Sequence, residues 1–76
     1  MKNNLKVIRT LRGLKQQDVA DSLGVKVGTY RAWEQGRNDM GFDTACRIAT
    51  LLGCTLDELA GRTPAIRTEY HLMEMR

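Results

Sequence analysis

Aromatic side chains are scarce in this chain: one tryptophan, two tyrosines and one phenylalanine among 76 residues. Its core must therefore be built from Leu, Val, Ile, Ala and Met. A chain of this length lies near the lower limit for an unaided core. Long apolar runs are also missing. Every one falls well short of the roughly 20 residues that span a bilayer, so no membrane segment is expected. The N-terminus is charged, but no apolar stretch and cleavage site follow it, so no secretory leader is expected either. Cysteine is limited to Cys46 and Cys54, and histidine to His71. Two cysteines without two further ligands make no zinc site, and nothing points to an oxidising compartment. The expectation is a pair of buried, reduced thiols in a cytoplasmic protein. There is no glycine-rich phosphate loop, and neither cysteine has a base partner visible in the sequence. No catalytic residue, cofactor or metal is expected.

Acids are absent from the first 15 positions, which hold Lys2, Lys6, Arg9, Arg12 and Lys15. The rest of the chain carries seven bases against nine acids. The net charge of +3 is modest, but its placement is uneven. A basic face on a small domain fits a polyanionic partner, although a solvated, solubilising end would have the same composition.

Strand-like alternation does not occur in the first 60 residues; helical spacing does. Leu5, Ile8 and Leu11 recur with bases between them, which predicts a first helix over residues 3–12, ending before Gly13. A second runs from about Gln16 to Leu23 with Val19, Ala20 and Leu23 inward, and Gly24 stops it in the left-handed conformation. A third runs from about Val27 to Gln35 with Tyr30 and Trp33 on its inner face, ended by Gly36. After a loop over residues 37–41, a fourth covers Phe42 to Leu52, with Phe42, Ala45, Cys46, Ile48, Ala49 and Leu52 as its apolar face. Thr55-Leu56-Asp57-Glu58 then reads as a capping box opening a short fifth helix, about Leu56 to Ala60, in which Leu59 closes the core. The fold class is all-α, a compact five-helix bundle over residues 1–61 with a C-terminal extension over residues 62–76. In that extension Thr63-Pro64 resembles a helix start. Ile66, Tyr70 and Met73 would share a helix face, but Tyr70 and Leu72 also alternate as in a strand. The extension is richer in large apolar groups than a disordered tail needs. Its expected role is contact with a second subunit or another protein partner; the alternative is a partly frayed tail that covers its own core.

The second and third helices have the features of a helix-turn-helix. Ala20 is the small residue that a tight crossing needs, and Gly24 tolerates positive φ at the turn. Val19, Leu23, Val25, Tyr30 and Trp33 supply the apolar groups that lock the angle.

From about Leu5 to Ala60 the chain resembles the Cro/phage-repressor (xenobiotic-response-element) helix-turn-helix family, without a gap. The segments that carry the resemblance are Ile8-Arg9, Gly13-Leu14-Lys15-Gln16, Val19-Ala20, Leu23-Gly24-Val25, Trp33-Glu34-Gln35-Gly36-Arg37, Ile48-Ala49, and Leu52-Gly53 through Leu56-Asp57-Glu58-Leu59. This resemblance implies a lambda-repressor-like domain that binds double-stranded DNA, usually as a homodimer on a two-fold operator. It implies that Val27, Gly28, Arg31 and Ala32 face bases. By the same resemblance, Lys15, Gln16, Lys26, Thr29, Gln35, Arg37 and Asn38 meet the DNA backbone. Gln16 could also brace a base-reading residue, and Arg9 and Glu34 look like the family's structural ion pair.

Two departures stand out. The family usually places Ser or Thr before the second and third helices, whereas here Lys15 and Lys26 stand there. A lysine cannot accept from helix amides, and its charge opposes the positive end of the dipole, at about 1 kcal/mol each relative to a good cap. That placement makes sense if both ammonium groups meet phosphates. The base-facing set is also poor in hydrogen-bonding groups. Val27 and Ala32 offer methyl contacts, Gly28 permits close backbone approach, and Arg31, with Lys26 as a second candidate, is the long donor able to reach guanine O6 and N7. Readout should lean on methyl contacts and DNA shape. The expected function is a sequence-selective transcriptional regulator with its third helix in the major groove. The alternative is a protein-interaction module or antitoxin-type accessory protein that keeps the fold with weak or no specific DNA binding.

Overall fold

The computed structural model describes residues 3–62. The expectations for residues beyond Arg62 therefore lie outside the described residues. Five helices follow one another: α1 (Leu5–Leu11), α2 (Gln16–Leu23), α3 (Val27–Glu34), α4 (Phe42–Leu52) and α5 (Leu56–Ala60). Helix α2 packs on α3 and α4, and α5 packs on α4 and α1. No strand occurs among the described residues. None of these helices is long and apolar enough to cross a membrane.

The core is aliphatic, as the scarcity of aromatics requires. Leu5, Ile8, Val19, Ala20, Leu23, Ile48, Leu52 and Leu59 are buried around Tyr30. Tyr30 is the largest fully buried side chain, and its ring meets Trp33 edge-on, with centroids 6.4 Å apart. Ala20 is fully buried at the crossing of α2 and α3. Gly24 ends α2 at φ +71°, a conformation that a side chain would strain. From there the Val25 amide donates back to the Ala20 carbonyl at 3.0 Å, which closes the turn. Cys46 and Cys54 are free thiols, but both are half-buried rather than buried.

Two apolar residues expected to face inward do not. Leu11 is 49% exposed and Phe42 73%. A spacing of three residues moves a helix position back by about 60° each time, so Leu11 has rotated roughly 120° from Leu5 and off the core face. Phe42 is the first residue of α4. Helical side chains lean toward the N-terminus, so its ring projects past the helix end instead of onto the bundle.

The two ends of the bundle are tied together. The Asn4 amide donates to the Leu59 carbonyl at 2.9 Å, and Asn4 Nδ2 donates to the Glu58 carbonyl at 3.2 Å. The α5 capping box is complete. Thr55 Oγ1 accepts from the Glu58 amide at 3.0 Å, and Glu58 Oε1 accepts from the Thr55 amide at 2.9 Å.

Candidate nucleic-acid interface

Helix α3 is held from behind by a buried ion pair. Arg9 on α1 donates through Nε to Glu34 Oε2 and through Nη2 to Oε1 at 3.2 Å. The side chains are only 11% and 4% exposed. Arg9 Nη1 also donates to the Leu14 carbonyl at 2.8 Å, so one guanidinium fixes both the last residue of α3 and the approach to α2. The Tyr30 hydroxyl is buried beside the pair without a well-formed hydrogen bond. Burial pushes the Glu34 carboxyl up. Hydrogen bonds from Arg9 and Gln16, the nearby Tyr30 hydroxyl and the Arg9 charge more than offset this and hold it below the usual carboxylate range. Burial, then Glu34, pushes the Tyr30 phenol well above its ordinary value, against a smaller opposing effect of Arg9.

Glu34 also connects the pair to the outer surface. Its Oε1 accepts from Gln16 Nε2 at 3.1 Å. An ionised carboxylate can only accept, so Gln16 must turn its amide nitrogen inward and its oxygen outward. That oxygen accepts from Arg31 Nε at 3.3 Å. The first residue of α2 thus links the ion pair to the exposed arginine of α3. This contact uses Arg31 Nε and neither terminal nitrogen of its guanidinium.

The starts of α2 and α3 are poorly closed. Lys15 and Lys26 occupy the two cap positions and neither makes a side-chain cap hydrogen bond. For α2, half of a capping box survives: Asp18 Oδ2 accepts from the Lys15 amide at 2.8 Å. The reverse bond is chemically closed to an ammonium. Asp18 also places a negative charge in the first turn, where the dipole favours it. Helix α3 has no acid in its first turn.

The candidate contact residues are distributed as follows. Lys15, Lys26, Gly28, Thr29, Arg31, Gln35, Arg37 and Asn38 are exposed, while Gln16 and Val27 are half-buried. Ala32 departs from expectation. It is 6% exposed, and its carbonyl accepts from the Arg37 amide at 3.0 Å as the following loop folds back over the end of α3. With its methyl packed inward, Ala32 has almost no surface to offer a base. Of the four residues expected to face bases, Gly28 and Arg31 are then exposed, and Val27 is half-buried against the core. A Cβ added at Gly28 would meet nothing within 4 Å, so no contact inside the domain requires a glycine there.

Three structural side chains were not apparent in the sequence. Arg12 donates to the carbonyls of Leu52 at 2.7 Å and Gly53 at 3.2 Å, closing the C-terminus of α4. Arg47 Nη2 does the same for α2 at the Leu23 carbonyl, 3.3 Å away. Asn3 Nδ2 donates to the Trp33 carbonyl at 2.8 Å near the end of α3. A basic residue near a helix C-terminus is a recognisable local signal, but these donors lie on other helices, far away in sequence. The basic N-terminal segment is thereby reinterpreted. Arg9 is turned inward, whereas Arg12 stays exposed while it donates to the α4 terminus, and Lys6 and Lys15 are exposed beside it.

Two short helices crossing at Ala20, turned at Gly24 and braced by α1, α4 and α5, define a helix-turn-helix protein. A helix-turn-helix family model matches residues 5–59. An uncharacterized HTH-type transcriptional regulator of Methanocaldococcus jannaschii is 39% identical over 59 residues, 78% of this chain and 89% of the relative. The uncharacterized HTH-type transcriptional regulator YqaE of Bacillus subtilis is 38% identical over 56 residues, 74% of this chain. The match spans only 48% of YqaE, about half its length. The crystal structure of a transcriptional regulator from Listeria innocua superposes with a TM-score of 0.70 at 21% identity, covering 100% of this chain and 80% of that one; at that identity the likeness concerns the fold. This chain belongs to the Cro/C1-type (xenobiotic-response-element) helix-turn-helix family of transcriptional regulators.

Proposed function

We propose that the protein is a sequence-selective double-stranded DNA-binding transcriptional regulator that inserts α3 into the major groove and acts as a homodimer. The observation that carries this reading is the Gln16–Arg31 contact. It joins the open start of α2 to the exposed face of α3 in one surface, flanked by Lys15 and Lys26. The free amides and ammonium groups at the two helix starts suit phosphates. Gln35, Arg37 and Asn38, exposed after α3, suit a second backbone stretch. Base contact falls to Arg31, with Val27 against a thymine methyl and Gly28 admitting the DNA closely. Two copies would read half-sites about one helical turn apart, ~34 Å, or a multiple of it.

Selection of bound sites from a random duplex pool tests the whole reading, because recovered sequences report half-site and spacing together. Arg31→Ala should then flatten discrimination between selected and random duplex. Lys26→Ala should weaken both and reduce the salt slope by about 1. Unchanged discrimination in Arg31→Ala would place another face of α3 in the groove. The burial of Ala32 leaves few base-facing groups and favours a second reading, a protein-interaction module. Absence of binding to random duplex at low salt, at tens of micromolar, would select it.

A further inference from the structure

Opposite in character to the α2–α3 surface is an apolar groove between the starts of α4 and α5. It has a volume of about 470 Å³ and is lined by Met40, Phe42, Ala45, Leu56, Leu59 and Ala60, with Asp57 and Arg62 as its polar members. Phe42 and Leu56, the first residues of their helices, are among the domain's exposed large apolar side chains. A largely exposed phenylalanine beside a partly exposed leucine is surface that association would bury. Nothing in the proposed DNA contact uses it.

We propose that this groove is the docking site for residues 63–76 of the same chain. Arg62, the last described residue, itself lines the groove, so the remaining chain begins at its lip. Ile66 follows four residues later, within about 13 Å of fully extended chain. Ile66, Tyr70 and Met73 are spaced by four and three residues, the spacing that places side chains on one face of a helix. Arg67 and Glu69 flank that stripe, opposite in sign to the groove's Asp57 and Arg62 respectively. Fourteen residues tethered at the lip face the groove at an effective concentration in the millimolar range. A second copy of the chain, at ordinary protein concentrations, competes poorly with that. Docking would cover Phe42 and Leu56 and give the tail's large apolar side chains a host within their own domain.

The test uses the full chain and does not depend on DNA. An NMR sample mixing isotope-labelled and unlabelled protein separates contacts within a chain from contacts between chains. The expected result is intrachain contact between the Phe42 ring and the methyls of Ile66 and Met73. Tail amides should also exchange on the order of tenfold more slowly than unstructured ones. Phe42→Ser lies outside the core, so the domain should keep its fold while tail protection disappears. Ile66→Ser with Met73→Ser should produce the same loss from the other side. Contacts seen only between labelled and unlabelled chains would overturn the proposal in favour of a second copy. Tail amides that exchange freely in the unmodified protein would overturn it outright.

Discussion

Helix α5 opens on a reciprocal capping box between Thr55 and Glu58, whereas α2 opens on half of one and α3 on none. The two regions hold their helices by different means. The α5 start is closed by residues three apart in sequence, and its neighbours do not need to supply donors or acceptors. The α2–α3 pair leaves its starts open and is secured from behind, by Arg9 on Glu34, Arg47 on the Leu23 carbonyl and Asn3 on the Trp33 carbonyl. A helix start closed by its own side chain has fewer amides to give to a ligand. One held from its far end keeps them available, and the strap carries the stability that the cap would have supplied.

Cutting the strap should have the largest effect. Arg9→Ala would leave the Glu34 carboxylate buried without its partner, at a cost of about 3–5 kcal/mol in urea denaturation. A loss below that of a single missing cap would show that α3 is held elsewhere. The same pair predicts a pH dependence. Because the Glu34 carboxyl is held below its ordinary value in the folded state, its contribution is present above about pH 4.3 and is lost as pH falls through the depressed folded value. The Tyr30 phenol is raised, so its contribution is complete below about pH 10 and declines above it. Acid and alkaline titrations of the midpoint check both limbs, and Glu34→Gln should flatten the acid one.

Exchanging the two kinds of helix start should have an intermediate effect. Lys26→Ser should stabilise the fold by about 1 kcal/mol and weaken DNA binding. Thr55→Ala should destabilise by about the same amount and leave DNA affinity unchanged. If Lys26→Ser raised the midpoint with no effect on DNA, the open start would be a defect without a use. The smallest effect is expected at Gly28. Gly28→Ala should stabilise α3 by roughly 0.5–1 kcal/mol, since a Cβ there meets nothing inside the domain. Anisotropy titrations should show weaker operator binding all the same, because the added methyl would stand where the groove comes closest.

What could be read from the sequence follows the same division. Elements specified by near neighbours were legible: the Thr55–Glu58 box, the Gly24 stop, and the bounds of α2, α4 and α5. The Arg9–Glu34 pair was reachable only through family resemblance, because nothing local couples positions 25 residues apart. Arg12 counted only toward the basic N-terminal face and Arg47 carried no sequence signal, because their carbonyl partners lie on or at the end of other helices. The burial of Ala32 was not legible either. It depends on how the loop after α3 folds back, and an alanine carries the same sequence signal whether it faces a base or a core. Phe42 shows the converse, since helical spacing takes no account of a helix ending at that residue.

The hydrogen bond from Asn4 to the Glu58 carbonyl joins residues 54 apart and makes the domain a closed circuit. A five-residue helix has no stability of its own, since isolated helices need roughly 12–15 residues to be even marginal. Helix α5 therefore forms only when the two ends of the bundle have met, which is a contact of high loop-closure cost. Its amides should exchange at the rate of global unfolding rather than of local fraying. The shortest helix then reports on the cooperativity of the whole domain, and removing residues as far as Asn4 should loosen the opposite end of the molecule first.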